Sequence, residues 1–201
     1  MNDTLRQPPG TPTGGQFAPG RHAEAGVALD DHGHDVARAA DAWGDRPVHD
    51  LVTQMAPDLA AAMDRLGEQP PPSGLTREDW ATVTTESAAG FRAVDRLMNA
   101  PGRPGQDAAQ VPFDLAMTRL RQHANDGVAK ALAPIARPAL TKFRTASRAY
   151  PEHMTHDEWL GKVDTMIDGF AAAEEPPDGT TNARVDAGMA EFTEHYTQLW
   201  T

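Results

Sequence analysis

Apolar residues recur three to four positions apart along most of the chain after residue 46, which is the spacing of a buried helix face. No run of five or more residues alternates with period two, apart from an ambiguous piece at residues 81–85. Clusters of proline and glycine separate the apolar runs. The pattern predicts an all-α fold, namely a five- to six-helix bundle.

The runs place the predicted helices as follows. The first begins at Pro47 and ends at Gly67, and the second begins at Thr76, where Asp79 completes a loose capping box. The third begins near Pro112 and extends to Pro134 and Pro138, which end or kink it. Its predicted apolar set is Leu115, Met117, Leu120, Val128 and Leu132.

The later runs predict a fourth helix over residues 138–149 and a fifth from Thr155 to Phe170. Thr155 and Glu158 have the spacing of a capping box. A sixth helix is predicted from a cap at Asn182 to Trp200. No repeat with a period of 20–50 residues is visible.

The first 35 residues have a different composition. Residues 1–29 are so rich in proline and glycine that neither helix nor sheet is favoured, and a polar stretch follows them. We therefore expect a flexible N-terminal tail over residues 1–35, with a short helix at about 35–42. The bundle domain is expected to occupy residues 36–201.

The tail carries a patterned segment. Residues 10–18 read Gly-Thr-Pro-Thr-Gly-Gly-Gln-Phe-Ala, and His22, Glu24, Val27 and Leu29 follow. Over residues 6–29 the chain resembles an N-terminal segment that recurs in proteins of actinobacteria, their phages and mobile elements. The resemblance implies that kind of source and no particular activity.

A flexible segment with one aromatic residue is suited to bind another protein, because glycine permits close backbone approach. The predicted partner-binding residues are Gly14, Gly15, Gln16 and Phe17. The alternative is an inert tail.

The composition excludes several classes of protein and of functional site. The chain has no cysteine, so disulfide scaffolds, thiolate metal sites and cysteine nucleophiles are excluded. Its formal net charge is -11, but the charge is uneven. Residues 101–150 carry eight bases and three acids, whereas residues 151–201 carry two bases and eleven acids.

The basic segment permits two interpretations. In the first, its cations bind nucleic-acid phosphates, although few aromatic residues are near to stack on bases. Alternatively, the acidic C-terminal segment packs beside it and neutralises it, which is the interpretation that we favour. The candidate cations are Arg119, Arg121, Lys130, Arg137, Lys142, Arg144 and Arg148.

Histidines close to acidic residues suggest a weak metal-binding alternative. The candidates are His32 and His34 in an acidic stretch, and His153 and His156 at the start of the fifth predicted helix. No His-Glu-x-x-His or Glu-x-x-His motif is present, so solvated histidines are the simpler interpretation.

No nucleotide-binding or acyl-transfer motif occurs in the sequence. We therefore predict a non-enzymatic, acidic helical accessory or interaction protein that needs no cofactor and recognises a protein partner. No apolar run approaches membrane-spanning length, so we expect no membrane association and a cytoplasmic location. The alternatives are a metal-assisted hydrolase or toxin-like effector, and a nucleic-acid-binding protein.

Overall fold

A computed structural model describes residues 51–99 and 106–199, and these ranges contain six α-helices and no strand. The prediction of an all-α bundle of five to six helices is confirmed for this part of the chain, whereas the predicted tail and the short helix at 35–42 lie outside it. Two 3₁₀ turns, Ala124–Asp126 and Tyr196–Gln198, follow the third and sixth helices. The helices are α1 Leu51–Glu68, α2 Arg77–Asn99, α3 Gln106–Gln122, α4 Val128–Ala146, α5 His156–Ala172 and α6 Gly179–His195.

The six helices close into a ring in the order α1–α2–α3–α6–α5–α4. Each helix packs mainly against its two neighbours in this order and directs its apolar face inward. Trp80, Trp159 and Tyr196 are the largest fully buried side chains. One continuous core therefore holds all six helices.

The predicted boundary between the third and fourth helices is wrong. α3 begins at Gln106 and ends at Gln122, and α4 runs uninterrupted through Pro134 and Pro138. The real break is at Gly127, whose φ of 98° lies in a region that side-chain-bearing residues rarely adopt. Burial of one face of α4 outweighs the hydrogen bonds that its two prolines cannot make.

Three smaller expectations are also wrong. α4 ends at Ala146 rather than residue 149. Asp178, not Asn182, caps α6, since its carboxylate accepts a hydrogen bond from the Thr181 backbone N–H at 2.7 Å. The helix ends at His195, where a 3₁₀ turn replaces the extension predicted towards Trp200.

The predicted capping box of α5 is complete, whereas at the start of α2 only one of the two backbone capping bonds is present. The Asp79 backbone N–H donates to Thr76 Oγ1 at 3.1 Å, and the Thr76 hydroxyl donates to the Asp79 carboxylate at 2.6 Å. The Glu158 backbone N–H donates to Thr155 Oγ1 at 3.2 Å, while the Thr155 backbone N–H donates to the Glu158 carboxylate at 2.7 Å. The Thr155 backbone N–H and the Thr155 hydroxyl both donate to the Glu158 carboxylate, and they lower the pKa of Glu158 because hydrogen bonds to a carboxylate favour its charged form.

The first helices of the two halves of the ring, α1 and α4, have proline and buried residues at the same positions. α1 and α4 both have proline as their seventh residue, Pro57 and Pro134. Both helices bury residues 1, 2, 5, 6, 9, 12, 13 and 16, counted from their first residue. α1–α3 therefore correspond to α4–α6 as two three-helix units.

The middle helices of the two units begin alike. Residues 76–80 read Thr-Arg-Glu-Asp-Trp and residues 155–159 read Thr-His-Asp-Glu-Trp, and a Gly-Phe pair begins ten residues after each tryptophan. Trp80 Nε1 donates to the carbonyl of Leu66, the sixteenth residue of α1. Trp159 packs edge-on against Phe143, the sixteenth residue of α4. In both units the tryptophan of the middle helix therefore meets the sixteenth residue of the first helix, through a hydrogen bond in the first unit and a ring contact in the second.

The third helices of the units end alike. His123 and His195 each stand between a helix and a 3₁₀ turn, with φ of -114° and -112°. His123 Nδ1 lies 2.8 Å from Asp126, and His195 Nδ1 lies 3.0 Å from the Gln198 side-chain oxygen. The same hydrogen bond to the third following residue thus closes each unit.

Candidate functional site

The basic segment packs beside the acidic C-terminal segment. Arg144 on α4 binds the Asp164 carboxylate on α5 through two nitrogens, the Nη2 contact being 3.1 Å, and Arg137 binds Glu174 just after α5. The Asp164 carboxylate raises the pKa of Arg144 through this bond and its charge. These two contacts are the internal neutralisation that the charge pattern favours.

The other cations of the segment lie apart from one another. Arg119 on α3 donates to the Glu86 carboxylate on α2 at 2.6 Å. Lys142 is half-buried on α4. Three members form no ion pair with a described residue, and they lie at the ends of the helices: Arg121 at the end of α3, Lys130 in the first turn of α4, and Arg148 beyond its last turn.

The three cations without an ion pair are too far apart to form one continuous positive surface for nucleic acid. α4 is about 27 Å long, so Lys130 and Arg148 lie at opposite ends of the bundle wall. Arg137 and Arg144, which lie between them, are held by carboxylates. The positive face is therefore interrupted at its centre.

The predicted histidine candidates are only partly described. His153 is exposed in the loop before α5, and the His156 ring lies 5.7 Å from the Tyr150 ring at the start of α5. His32 and His34 lie outside the described residues, as do Gly14, Gly15, Gln16 and Phe17. Among the described residues, no group of three or more acidic or histidine side chains converges in a way that could hold a metal ion.

The structure assembles a polar cluster that the sequence analysis did not identify. His195 is 3% exposed, and its Nε2 lies 3.2 Å from the Glu191 carboxylate without hydrogen-bond geometry. Glu191 accepts a hydrogen bond from Lys162 Nζ on α5 at 2.8 Å. The helical spacing of Glu191 and His195 was visible in the sequence, but their burial against α5 was not.

The outer face of α3 carries an apolar patch, formed by Val111 and Leu115. The Val111 side chain is 69% exposed and that of Leu115 is 37% exposed, although Leu115 was predicted to be part of the core. The two residues are four positions apart, so they lie side by side on one helix face. Tyr150 is the remaining large apolar residue that is exposed in the described part of the chain.

A shallow cleft of about 140 Å³ lies where α4 begins, α5 ends and α6 begins. Small side chains form much of it, and polar groups from three elements line its edge. The lining residues are Ala124, Asn125, Gly127, Lys130, Ala172, Ala173, Glu175, Pro177, Thr181, Asn182 and Val185.

Comparisons with known proteins add no assignment to this geometry. No protein-family model, curated protein or solved structure matches the chain. Over residues 51–99 and 106–199, each helix is too short or too polar to cross a membrane.

Proposed function

We propose that the protein is a non-enzymatic helical interaction protein of an actinobacterium, or of its phage or mobile element. In this proposal the N-terminal segment recognises a protein partner through Gly14, Gly15, Gln16 and Phe17. The helical body supplies a second contact through the apolar patch of Val111 and Leu115.

The exposed patch on α3 is the observation that carries this proposal. Two of the three large apolar side chains exposed in the described residues are neighbours on one helix face. Apolar residues at i and i+4 are the spacing at which a helix presents anchors to a partner's groove. The charges of the body support the same conclusion, because α4 is partly neutralised from within.

Affinity purification with the full-length chain as bait tests the proposal. We expect a protein that is recovered by the wild type to be lost with Phe17→Ala and reduced with the double variant Val111→Ser/Leu115→Ser. Tyr150→Ser is the matched control, because it removes an exposed apolar side chain elsewhere on the body. Recovery of the same proteins by all four chains contradicts the proposal.

Nucleic-acid binding is a second candidate, and it depends on the cations that make no ion pair. We expect such binding to weaken steeply with salt and to require Arg121, Lys130 or Arg148. Triple substitution of these residues by glutamine, measured by a gel-shift titration at low salt, distinguishes the two functions. An unchanged or absent shift removes this candidate.

A further inference from the structure

The fold does not require large apolar side chains at the patch on α3. Counting back from the histidine that ends each unit, Val111 and Leu115 correspond to Ala183 and Ala187 on α6. Both alanines are exposed, so the second unit folds with small side chains at these outer positions. The two larger side chains of the first unit therefore indicate a contact that the second unit does not make.

The described chain begins beside α3. The Tyr196 hydroxyl donates to the Val52 carbonyl in the first turn of α1, and the Tyr196 ring lies 6.0 Å from the Phe113 ring. Phe113 is buried and lies two residues from both Val111 and Leu115, and residues two apart point in nearly opposite directions on an α-helix. One side chain thus separates the start of α1 from α3, and the thickness of α3 separates that side of the helix from the patch.

The residues before α1 are long enough to reach the patch. Trp43 lies eight residues before Leu51, and eight extended residues span about 26 Å. A helix with its side chains is about 10–12 Å across, so this length is enough to pass around α3. Gly44 and Pro47 lie between Trp43 and Leu51, and both residue types favour a turn of the chain.

The sequence before this turn has the apolar spacing of a docking helix. Val36, Ala40 and Trp43 stand at positions i, i+4 and i+7, which is the spacing of the anchors by which a helix binds an apolar surface. An aspartate precedes residues 36–43 and a glycine follows them, as is usual at the ends of a helix. Residues 100–105, which lead into α3, contain no large apolar side chain that could cover the patch instead.

We propose that residues 36–43 dock on the outer face of α3, with Trp43 on Val111 and Leu115. The contact is small, but the short link to α1 raises the effective concentration of Trp43 at the patch into the millimolar range. The docked segment covers the surface that the proposed function assigns to a partner, so the partner must displace it. This regulation of the patch rests on the proposed function, whereas the docking itself does not.

Paramagnetic broadening in NMR spectra of the full-length chain tests the docking. The chain has no cysteine, so one introduced cysteine carries a nitroxide label at a single position. With the label at Thr118→Cys, one turn beyond Leu115 on the exposed face of α3, we expect the Trp43 indole N–H signal to lose most of its intensity. Ser73→Cys is the matched control, because it is exposed in the loop that follows α1, a helix about 27 Å long.

Variants show whether the broadening depends on the patch. Val111→Ser/Leu115→Ser should abolish the broadening of the Trp43 signal, and both side chains are exposed, so the bundle should remain folded. Tyr150→Ser should leave the broadening unchanged, because it removes an exposed apolar side chain elsewhere on the body. Trp43→Phe identifies the indole signal by its loss.

The docking is overturned if the labels at the two positions broaden the Trp43 signal equally, or if neither broadens it. Broadening of the Trp200 signal instead of the Trp43 signal also overturns it, because the C-terminus then covers the patch. A mixture of isotope-labelled chain with unlabelled, spin-labelled chain should show no broadening. Broadening in that mixture overturns the proposal in favour of a second copy.

The regulation is tested separately by affinity purification. Where the wild type recovers a partner through the patch, Trp43→Ala should recover more of it, because the patch is then open in every molecule. An equal or smaller recovery overturns the regulation. The broadening experiment needs no partner, so failure of the docking and failure of the proposed function are distinguishable.

Discussion

Single residues decide how closely α5 and α6 approach. A Cβ atom on Gly169 would lie 2.5 Å from the Gly188 Cα and 3.0 Å from the Arg184 carbonyl oxygen. A Cβ atom on Gly188 would lie 2.5 Å from the Gly169 Cα. The contact is between backbones on both sides, so no side chain can move to relieve the overlap.

We expect Gly169→Ala to lower the free energy of unfolding by about 1–3 kcal/mol, because the helices must separate to admit the methyl group. Gly161→Ala on the same helix is the matched control, since nothing lies within 4 Å of the added Cβ. It should raise stability by about 0.5–1 kcal/mol through the helix preference of alanine. Urea denaturation of both variants measures the difference, and equal effects contradict the close-contact explanation.

Two capping carboxylates make stability sensitive to acid. Backbone N–H groups of Thr155 and Thr181 donate to Glu158 and Asp178 respectively, and these bonds lower both pKa values in the folded state. The stabilisation is present above the ordinary carboxyl pKa of about 4 and is lost as the pH falls through the lower folded values.

We therefore expect the free energy of unfolding to decline below about pH 4. The double variant Glu158→Gln/Asp178→Asn should be less stable at neutral pH and should show a shallower acid decline. Denaturation curves across the acid range measure this, with Glu152→Gln as the control, because Glu152 makes no capping bond in the described residues. If the double variant loses stability in acid as steeply as the wild type, the two capping carboxylates are not the cause of the acid sensitivity.

At the scale of elements, two ion pairs join α4 to α5 and the residues just after it. Arg144 and Arg137 reach from α4 to Asp164 and Glu174, so the surplus cations of one segment meet the surplus carboxylates of the next. Both pairs are exposed, and exposed pairs contribute little to stability. Their role is therefore to favour this pairing of helices over others.

Charge reversal tests that role. Arg144→Glu should lower the thermal midpoint, because it places a second carboxylate beside Asp164, and the swap Arg144→Glu/Asp164→Arg should recover most of the loss. High salt should reduce the difference in thermal midpoint between the wild type and Arg144→Glu, since salt screens exposed charges. Arg148→Glu is the control, as Arg148 forms no ion pair with a described residue. Failure of the swap to recover stability contradicts a direct pairing.

At the scale of the whole molecule, Tyr196 closes the ring. Its hydroxyl joins the turn after the last helix to the first turn of α1, across 144 residues of sequence. Phe113 on α3 also touches its ring, so one side chain contacts both units. The ends of the described body are thereby part of one core.

We expect Tyr196→Phe to lower the free energy of unfolding by about 0.5–1.5 kcal/mol, the usual contribution of one hydrogen bond. Unfolding should remain a single cooperative transition, and amide exchange in the first turn of α1 should become faster. Tyr150→Phe is the control, because the Tyr150 side chain is 49% exposed. Unchanged exchange in α1 would show that the hydroxyl bond does not hold the ends together.

The helices and their starts were predictable where local chemistry decides them. Thr155 and Glu158 cap α5 because both hydrogen bonds join residues three positions apart. Trp80 and Trp159 recur at helical spacing with other apolar residues, and both are buried. The α3–α4 boundary was not predictable in this way, because the prolines of α4 are poor local signals and burial outweighs them.

The candidate sites were harder to predict than the helices, because they depend on contacts between residues far apart in the sequence. The charge pattern favoured neutralisation of the basic segment, and the structure shows which carboxylates Arg137 and Arg144 bind. Neither the cleft beside Ala124 nor the patch at Val111 was identified from the sequence. A valine such as Val111 has no distinctive pattern in the sequence until the positions of the neighbouring helices show that none of them covers it.

By itself the sequence determined the helical class, the capped starts of α2 and α5 and the bipolar charge, because each depends on residues within a few turns of one another. Only the tertiary structure decided the ring order and the correspondence of the two units. These features depend on which faces meet across the core, and spacing along the chain does not contain that information.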